Sequence, residues 1–359
     1  MKCVIATGGS GGHFFPTLYV AQEFKKEGHE VYFVGAFGGF QEKIKGYDFP
    51  VRNLNAKGFT KKSLKSVVEF FVGMLQSVLA SLKILKEIQP DIVCGFGSYG
   101  SFPAVFSAIL LRRPTMIHEQ NVKPGRANRV LFYFVNKVGV SFEATLQKFF
   151  KGEKAVVTGC PGHVRDQGLT KAQALENLGL DSQKVTILVL GGSQGSHCLN
   201  EKFVGAVPLL KDFAFQVIHL SGKNDFAELQ QKYQTLGIAY RLFEFCDEME
   251  KVYTAADLAI CRSGAVTVTE LAEFGLPSIL VPYPHAGGHQ RLNALVLVEA
   301  KLARLIEEED LTEVKLSQMI SAALTNRPDP WEFQKNRSKI CIPDAARRFA
   351  REATALVKA

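Results

Sequence analysis

Val185-Thr-Ile-Leu-Val-Leu-Gly-Gly-Ser-Gln-Gly195 repeats, in the second half of the chain, the pattern of Cys3-Val-Ile-Ala-Thr-Gly-Gly-Ser-Gly-Gly12. Each copy reads as an apolar run of strand length followed by a glycine loop and a helix, the opening of a βαβ unit. After the first copy a helix is expected from about Pro16 to residue 27, stopped by Gly28, with a strand over 30–35. Further strands are expected over 91–95, 115–118, 137–141 and 155–158. After the restart they are expected over 216–220, 240–243, 258–261 and 278–281. Strands alternating with helices in this way form parallel sheets, so the fold class is α/β: two Rossmann-like, doubly wound domains facing one cleft. The hinge is placed in 159–166, giving a first domain over 1–160 and a second over 161–344. A helix over 345–359 packs back on the first domain, since no further strand requires it.

The composition agrees with two soluble cores. Of 359 residues 47% are hydrophobic and 22% charged, and 27 phenylalanines hint at apolar surface. Seven cysteines, odd in number and without a C-x-x-C pair, read as reduced thiols and give neither a zinc site nor a disulfide frame. A net charge of +8 favours an anionic partner. No basic run with interleaved aromatics and no helix-turn-helix or zinc-finger spacing is present, so nucleic acid is not the expected one.

Met1-Lys2 leads straight into a strand, so no signal peptide is expected. The uncharged apolar run over 70–82 has 13 residues, short of the roughly 20 that span a bilayer. The run over 92–111 is long enough, yet Gly95, Gly97, Gly100 and Pro103 break it. Lys57, Lys61, Lys62 and Lys65 precede the first run, and Lys83 and Lys86 follow it. Apolar residues with basic flanks can lie on an anionic leaflet, and a core helix with a solvated basic flank is the other reading.

The chemistry concentrates in Cys261-Arg-Ser-Gly-Ala-Val-Thr-Val-Thr-Glu270, which reads as a buried strand, a small-residue turn and a helix beginning at Ala265. The unpaired amides and partial positive charge of a helix N-terminus suit a diphosphate, and Glu270 suits a sugar hydroxyl. Two nucleotide classes fail here. Gly8-Gly-Ser-Gly-Gly-His13 is not the G-x-G-x-x-G dinucleotide loop, the second strand lacks the ribose-binding acid, and no G-x-x-x-x-G-K-[ST] loop occurs.

Six motifs in order, Gly8-Gly-Ser-Gly-Gly-His13, Gly95-Phe-Gly-Ser-Tyr-Gly100, His118-Glu-Gln-Asn121, Gly191-Gly-Ser-Gln-Gly195, Cys261 to Glu270, and His289-Gln290 with Asn293, resemble the MurG family over almost the whole chain. That family has the GT-B fold and converts lipid I to lipid II in bacterial peptidoglycan synthesis. The resemblance implies UDP-GlcNAc as donor and lipid I (undecaprenyl-pyrophosphoryl-MurNAc-pentapeptide) as acceptor. It also implies peripheral attachment to the anionic cytoplasmic face of the inner membrane. The matching donor positions are Ser193, Cys246 (through its backbone), Ala265, Val266, Thr267, Val268, Thr269, Glu270 and Gln290. From the first domain they are Ser10, Gly11, Gly12 and Asn121. Arg165 matches an arginine that supports the diphosphate. The family pattern there is Gly-Asn-Pro, whereas this chain has Gly159-Cys160-Pro161 and carries its arginine two residues late.

The implied reaction is an inverting transfer, in which a hydroxyl attacks C1 of an α-linked donor and UDP leaves. His13 is the favoured base because an imidazole titrates near neutrality. Glu119 is the alternative, and His118 is read as a structural hydrogen bonder. Gly97, Ser98, Tyr99 and Gly100 are the candidate acceptor contacts, in a loop that exposes backbone. With no Asp-x-Asp or His/Cys ligand cluster, no cofactor and no obligatory metal are expected. A GT-B transferase with a soluble acceptor, a UDP-GlcNAc epimerase and a UDP-sugar-binding regulator are the competing readings.

Overall fold

The computed structural model describes residues 1–8, 11–38, 41–54, 63–150, 152–162, 168–192, 194–285 and 287–358. The chain divides into two compact units, Met1–Gly162 with Ile342–Ala359, and His163–Cys341.

The first unit is built on β1 (Lys2–Gly8), β2 (Glu30–Ala36), β3 (Val51–Asn53), β4 (Ile92–Gly95), β5 (Thr115–Glu119), β6 (Lys137–Val140) and β7 (Ala155–Val157). All pairs are parallel, in the order β3-β2-β1-β4-β5-β6-β7. Ile5 pairs with Phe33 on one side and Cys94 on the other. Strand side chains alternate between faces. Cys3 and Ile5 accordingly join one buried cluster with Phe14, Phe24, Phe33 and Phe96, while Val4 and Ala6 join another with Val93, Val105 and Ile117. A sheet covered on both faces requires this continuous apolar sequence.

The last helix, Ala345–Lys358, completes the first of these clusters. Phe349, Ala350 and Ala353 are fully buried against it, with Ala346, Leu356 and Val357 packed alongside, so one helical face carries the contact. Phe349 lies 5.0 Å from Phe96 between ring centroids, and Lys137 pairs with Glu352.

In the second unit β8 (Val185–Leu190), β9 (Phe215–Leu220), β10 (Tyr240–Phe243), β11 (Leu258–Cys261), β12 (Ser278–Leu280) and β13 (Ala303–Leu305) form a parallel sheet in the order β10-β9-β8-β11-β12-β13. Both sheets thus reverse strand order beside the strand that opens the repeat, between β1 and β4 and between β8 and β11. Ligands collect outside the carboxyl ends of strands at such points. The three-residue edge strands β3 and β13 were not expected from sequence, because neither carries a run of buried side chains.

Three local expectations are corrected. The first helix runs Gly11–Lys26 with Pro16 inside it, in the second turn, where the proline forgoes one hydrogen bond to Gly12 O without ending the helix; Gly11, Gly12 and His13 are therefore its first turn, not loop. Gly95-Phe-Gly-Ser-Tyr-Gly100 is likewise only briefly a loop. Gly95 ends β4, and Ser98, Tyr99 and Gly100 open the helix Ser98–Leu110. The apolar run over 70–82 belongs to a 25-residue helix, Leu64–Ile88, whose segment Lys65–Ile88 is long and apolar enough to cross a membrane by length and composition. The flanking charges do not end it.

Candidate functional site

At the reversal point of the first unit, His13 and Gly97 meet. Gly97 has φ +73°, and a Cβ there would stand 3.1 Å from His13 Cε1 and 3.2 Å from Nδ1. The positive φ favours glycine here, and a Cβ would crowd the imidazole that lies against it. Gly97 caps the helix Ser98–Leu110 without a side-chain hydrogen bond, so the ring sits beside the helix start. Ser98 Oγ accepts from Gly100 N at 3.1 Å, Ser101 Oγ donates to Gly97 O at 2.5 Å, and the Tyr99 ring stands edge-on to Phe70.

His118 is fully buried at the end of β5, and its Nε2 lies 2.8 Å from Gly159 O. A carbonyl only accepts, so Nε2 carries a proton. Burial lowers its pKa to about 4, with a smaller lowering from His13, which places the two rings in one neighbourhood. Glu119, the neighbouring candidate base, is 1% exposed. Its Oε1 accepts from Asn121 N at 2.9 Å and Asn121 Nδ2 at 3.3 Å, and its Oε2 from Gly125 N at 3.0 Å and Asn128 Nδ2 at 2.8 Å. A carboxylate offers about four lone-pair sites, and these donors fill them. Glu119 thus braces the segment that carries Asn121.

In the second unit the helix Ala265–Phe274 begins at the expected residue, capped by Gly264 with no side-chain hydrogen bond. Its first turn follows β11 directly at the reversal point. Within it Val268 is fully buried, and Thr269 Oγ1 donates to Val266 O at 2.8 Å, so these two side chains serve the helix. Glu270 is 5% exposed and its Oε2 accepts from Tyr253 O–H at 3.0 Å. Gln290 Oε1 accepts from Ser263 N at 3.2 Å and Tyr283 N at 2.9 Å, while Ser263 Oγ donates to Gln290 O at 2.9 Å. Gln290 therefore ties the turn after β11 to the loop after β12. Cys246 is half-buried in the loop after β10, and burial raises its thiol pKa. Ser10, Arg165 and Ser193 lie outside the described residues, and Gly11 is described by its backbone alone.

Arg262 was missed by the sequence reading. It is 6% exposed, pairs with Glu308, donates from Nη2 to Ser196 Oγ at 2.7 Å and from Nη1 to Val281 O at 3.2 Å. One planar guanidinium thus gathers the loops after β8 and β12 around the turn after β11. An Arg inside a motif is visible in sequence, but its partners, 19 to 66 residues away, are not.

Residues 3–140 match the glycosyltransferase family 28 N-terminal domain and residues 186–350 its C-terminal domain. A UDP-N-acetylglucosamine--N-acetylmuramyl-(pentapeptide) pyrophosphoryl-undecaprenol N-acetylglucosamine transferase of Thermoanaerobacter sp. (strain X514) is 37% identical, covering 97% of this chain and 98% of its own. The Coxiella burnetii (strain RSA 493 / Nine Mile phase I) protein of the same name is 34% identical over 97% of this chain and 96% of its own. Among solved structures, Acinetobacter baumannii MurG superposes with a TM-score of 0.78 at 25% identity, covering 99% of both chains. UDP-bound S. aureus MnaA superposes with a TM-score of 0.71 over 100% of this chain and 97% of its own; at 12% identity this likeness concerns the fold alone.

Proposed function

The chain belongs to the family of UDP-N-acetylglucosamine--N-acetylmuramyl-(pentapeptide) pyrophosphoryl-undecaprenol N-acetylglucosamine transferases, a GT-B family, and we infer that it transfers GlcNAc from UDP-GlcNAc to lipid I. The carrying observation is the match to such relatives over 97% of the chain, with the helix Ala265–Phe274, whose N-terminus has no side-chain cap, and Glu270 at the reversal point of the second sheet. Neither the epimerase nor the soluble-acceptor reading is favoured by these relatives.

The residues divide the work as follows. Amides at the start of the helix Ala265–Phe274 meet the donor diphosphate, where the partial positive charge of the helix end is aimed at the leaving group. Glu270 accepts from ribose hydroxyls, its orientation held by Tyr253. Gln290 and Arg262 keep the surrounding turns in register. In the first unit His13 takes the proton from the C4 hydroxyl of MurNAc as that oxygen attacks C1 of the donor. The C1–O bond to UDP breaks with its electron pair going to the diphosphate, and the configuration inverts. We assign the base to His13 over Glu119 because the Glu119 carboxylate already accepts from Asn121, Gly125 and Asn128. The amides of the first turn at Ser98–Leu110 serve the acceptor pyrophosphate. This scheme places charge stabilisation on helix ends and basic groups, and requires no divalent ion.

The acceptor's polyprenyl chain directs the first unit to a lipid surface, proposed here as the anionic cytoplasmic leaflet. The helix Leu64–Ile88 exposes Val68, Phe71, Val72, Leu75 and Leu79, between 50% and 62% each. These positions form one helical stripe. Ser77, Val78, Ser81, Leu85 and Ile88 are buried on the other face, where Ser107 Oγ donates to Val78 O at 3.0 Å. Burying the half-exposed stripe is worth about 1 kcal/mol per side chain. That sum supports reversible attachment, which Lys65, Lys83 and Lys86 reinforce by about 1 kcal/mol each near anionic lipid.

Labelled UDP-GlcNAc, incubated with and without a lipid I analogue, tests the reading. Label is expected in the lipid product, with UDP released only when the analogue is present. Isomerisation of the donor, or equal UDP release without acceptor, would show a different enzyme.

A further inference from the structure

Residues 194–196, in the loop after β8, are held from a side that the donor reading does not use. His219, near the end of β9, is fully buried with both ring nitrogens bonded: Nδ1 lies 2.8 Å from Tyr233 Oη and Nε2 lies 2.9 Å from Asn200 Oδ1. Asn200 Nδ2 donates to Ser221 O at 2.9 Å and to Asp225 Oδ2 at 2.7 Å. Both of these partners only accept, so the amide's orientation is fixed and its oxygen faces the imidazole. It follows that Nε2 carries the proton, that Nδ1 is the acceptor, and that the Tyr233 hydroxyl donates to it. A run of hydrogen bonds with one allowed direction therefore leads from Tyr233 through His219 and Asn200 to the Ser221 carbonyl.

Ser221 and Gly222 in turn touch the glycine loop backbone to backbone. A Cβ on Gly195, which has φ +77°, would stand 2.1 Å from Ser221 O, and one on Gly222, with φ +79°, would stand 2.5 Å from Gln194 O. A displaced Ser221 carbonyl cannot leave Gly195 where it is. From the opposite side Arg262 Nη2 grips Ser196 Oγ at 2.7 Å. Asn200 also lies on the helix His197–Ala206, which that loop leads into, so one side chain links the loop, the helix and the end of β9.

We infer that His219, acting through Asn200, is a positioning residue that sets the backbone of residues 194–196 for the donor diphosphate. This rests on the donor-site reading, extended from the amides that open Ala265–Phe274 to the loop after β8, where Ser193 is a matching donor position. His219 does not touch substrate, and its contribution is to hold amides where the phosphates bind. The inference therefore makes a prediction that general destabilisation does not: affinity for the diphosphate changes while affinity for the nucleoside stays.

The test is calorimetric titration of the full chain with UDP and, separately, with uridine, for the parent, His219→Leu, His219→Gln and Tyr233→Phe. Loss of one buried hydrogen bond is expected to weaken UDP binding about tenfold in His219→Leu, with uridine binding unchanged. His219→Gln, which can still present an N–H to Asn200 Oδ1, is expected to recover most of the UDP affinity, and Tyr233→Phe to fall between. Parent-like UDP affinity in His219→Leu, or equal loss of UDP and uridine, would overturn the inference. Should His219→Leu fail to fold, Tyr233→Phe decides, and an unchanged ratio of UDP to uridine affinity would overturn it. A parent that does not bind UDP overturns the donor-site reading itself, and is distinguished from failure of the relay by that first titration.

Discussion

At the scale of single residues, one motif supplies a group proposed to meet substrate and groups that hold it in place. His118-Glu-Gln-Asn121 shows this: His118 donates to Gly159 O, and Glu119 accepts from Asn121, Gly125 and Asn128. Glu119→Gln would turn an amide N–H₂ toward donors and leave at least one of them unmet. It is expected to lower the stability of the first unit by about 2 kcal/mol, read as a shift in urea midpoint, with UDP affinity unchanged. His118 was read from its residue type as a hydrogen bonder, and its Nε2 does bond Gly159 O. The occupation of Glu119 was not legible, because Gly125 and Asn128 carry no mark in sequence of facing a carboxylate. Arg262 and His219 escaped for the same reason: each acts through partners that only the folded sheet brings near.

At the scale of elements, periodicity did most of the work where a buried strand or an amphipathic helix was long. The glycine-flanked strands β1 and β8 stood out because sheets covered on both faces demand unbroken apolar runs. Boundaries failed where one residue type carries two meanings. Pro16 suggested a helix start but sits inside a helix, and Gly97 to Gly100 suggested a loop but span a cap and a first turn. The terminal helix Ala345–Lys358 contributes Phe349 to the core of the first unit. Phe349→Ala should cost about 3–5 kcal/mol, measurable as a lowered unfolding midpoint, since a large cavity opens beside Phe96 and His118. The stripe on Leu64–Ile88 predicts the opposite kind of variant. Phe71→Ser with Leu75→Ser and Leu79→Ser should leave the far-ultraviolet circular dichroism unchanged and abolish sedimentation with anionic vesicles. Parent-like sedimentation would remove this helix from the attachment surface.

At the scale of the molecule, each parallel sheet reverses strand order beside its opening strand, and each unit buries a histidine near the carboxyl end of a strand, His118 on β5 and His219 on β9. Burial lowers the pKa of His118 to about 4 and of His219 to about 3. A depressed folded-state pKa means that below the unfolded value of 6.5 the unfolded chain binds protons that the folded chain refuses. Stability is therefore lost as pH falls from 6.5 toward 4, by about 2 kcal/mol per histidine between pH 7 and pH 5. Urea midpoints at the two pH values check this, and His219→Gln should flatten the dependence.

The two-unit order was legible from the repeated strand and glycine loop, whereas the division of labour is the claim that most needs measurement. UDP titration of His13→Ala and Glu270→Ala, set beside their turnover, tests it directly. The account predicts that His13→Ala binds UDP like the parent but transfers sugar at least about a hundredfold more slowly, while Glu270→Ala binds UDP about tenfold more weakly. Parent-like UDP affinity in Glu270→Ala, or loss of UDP binding in His13→Ala, would contradict it.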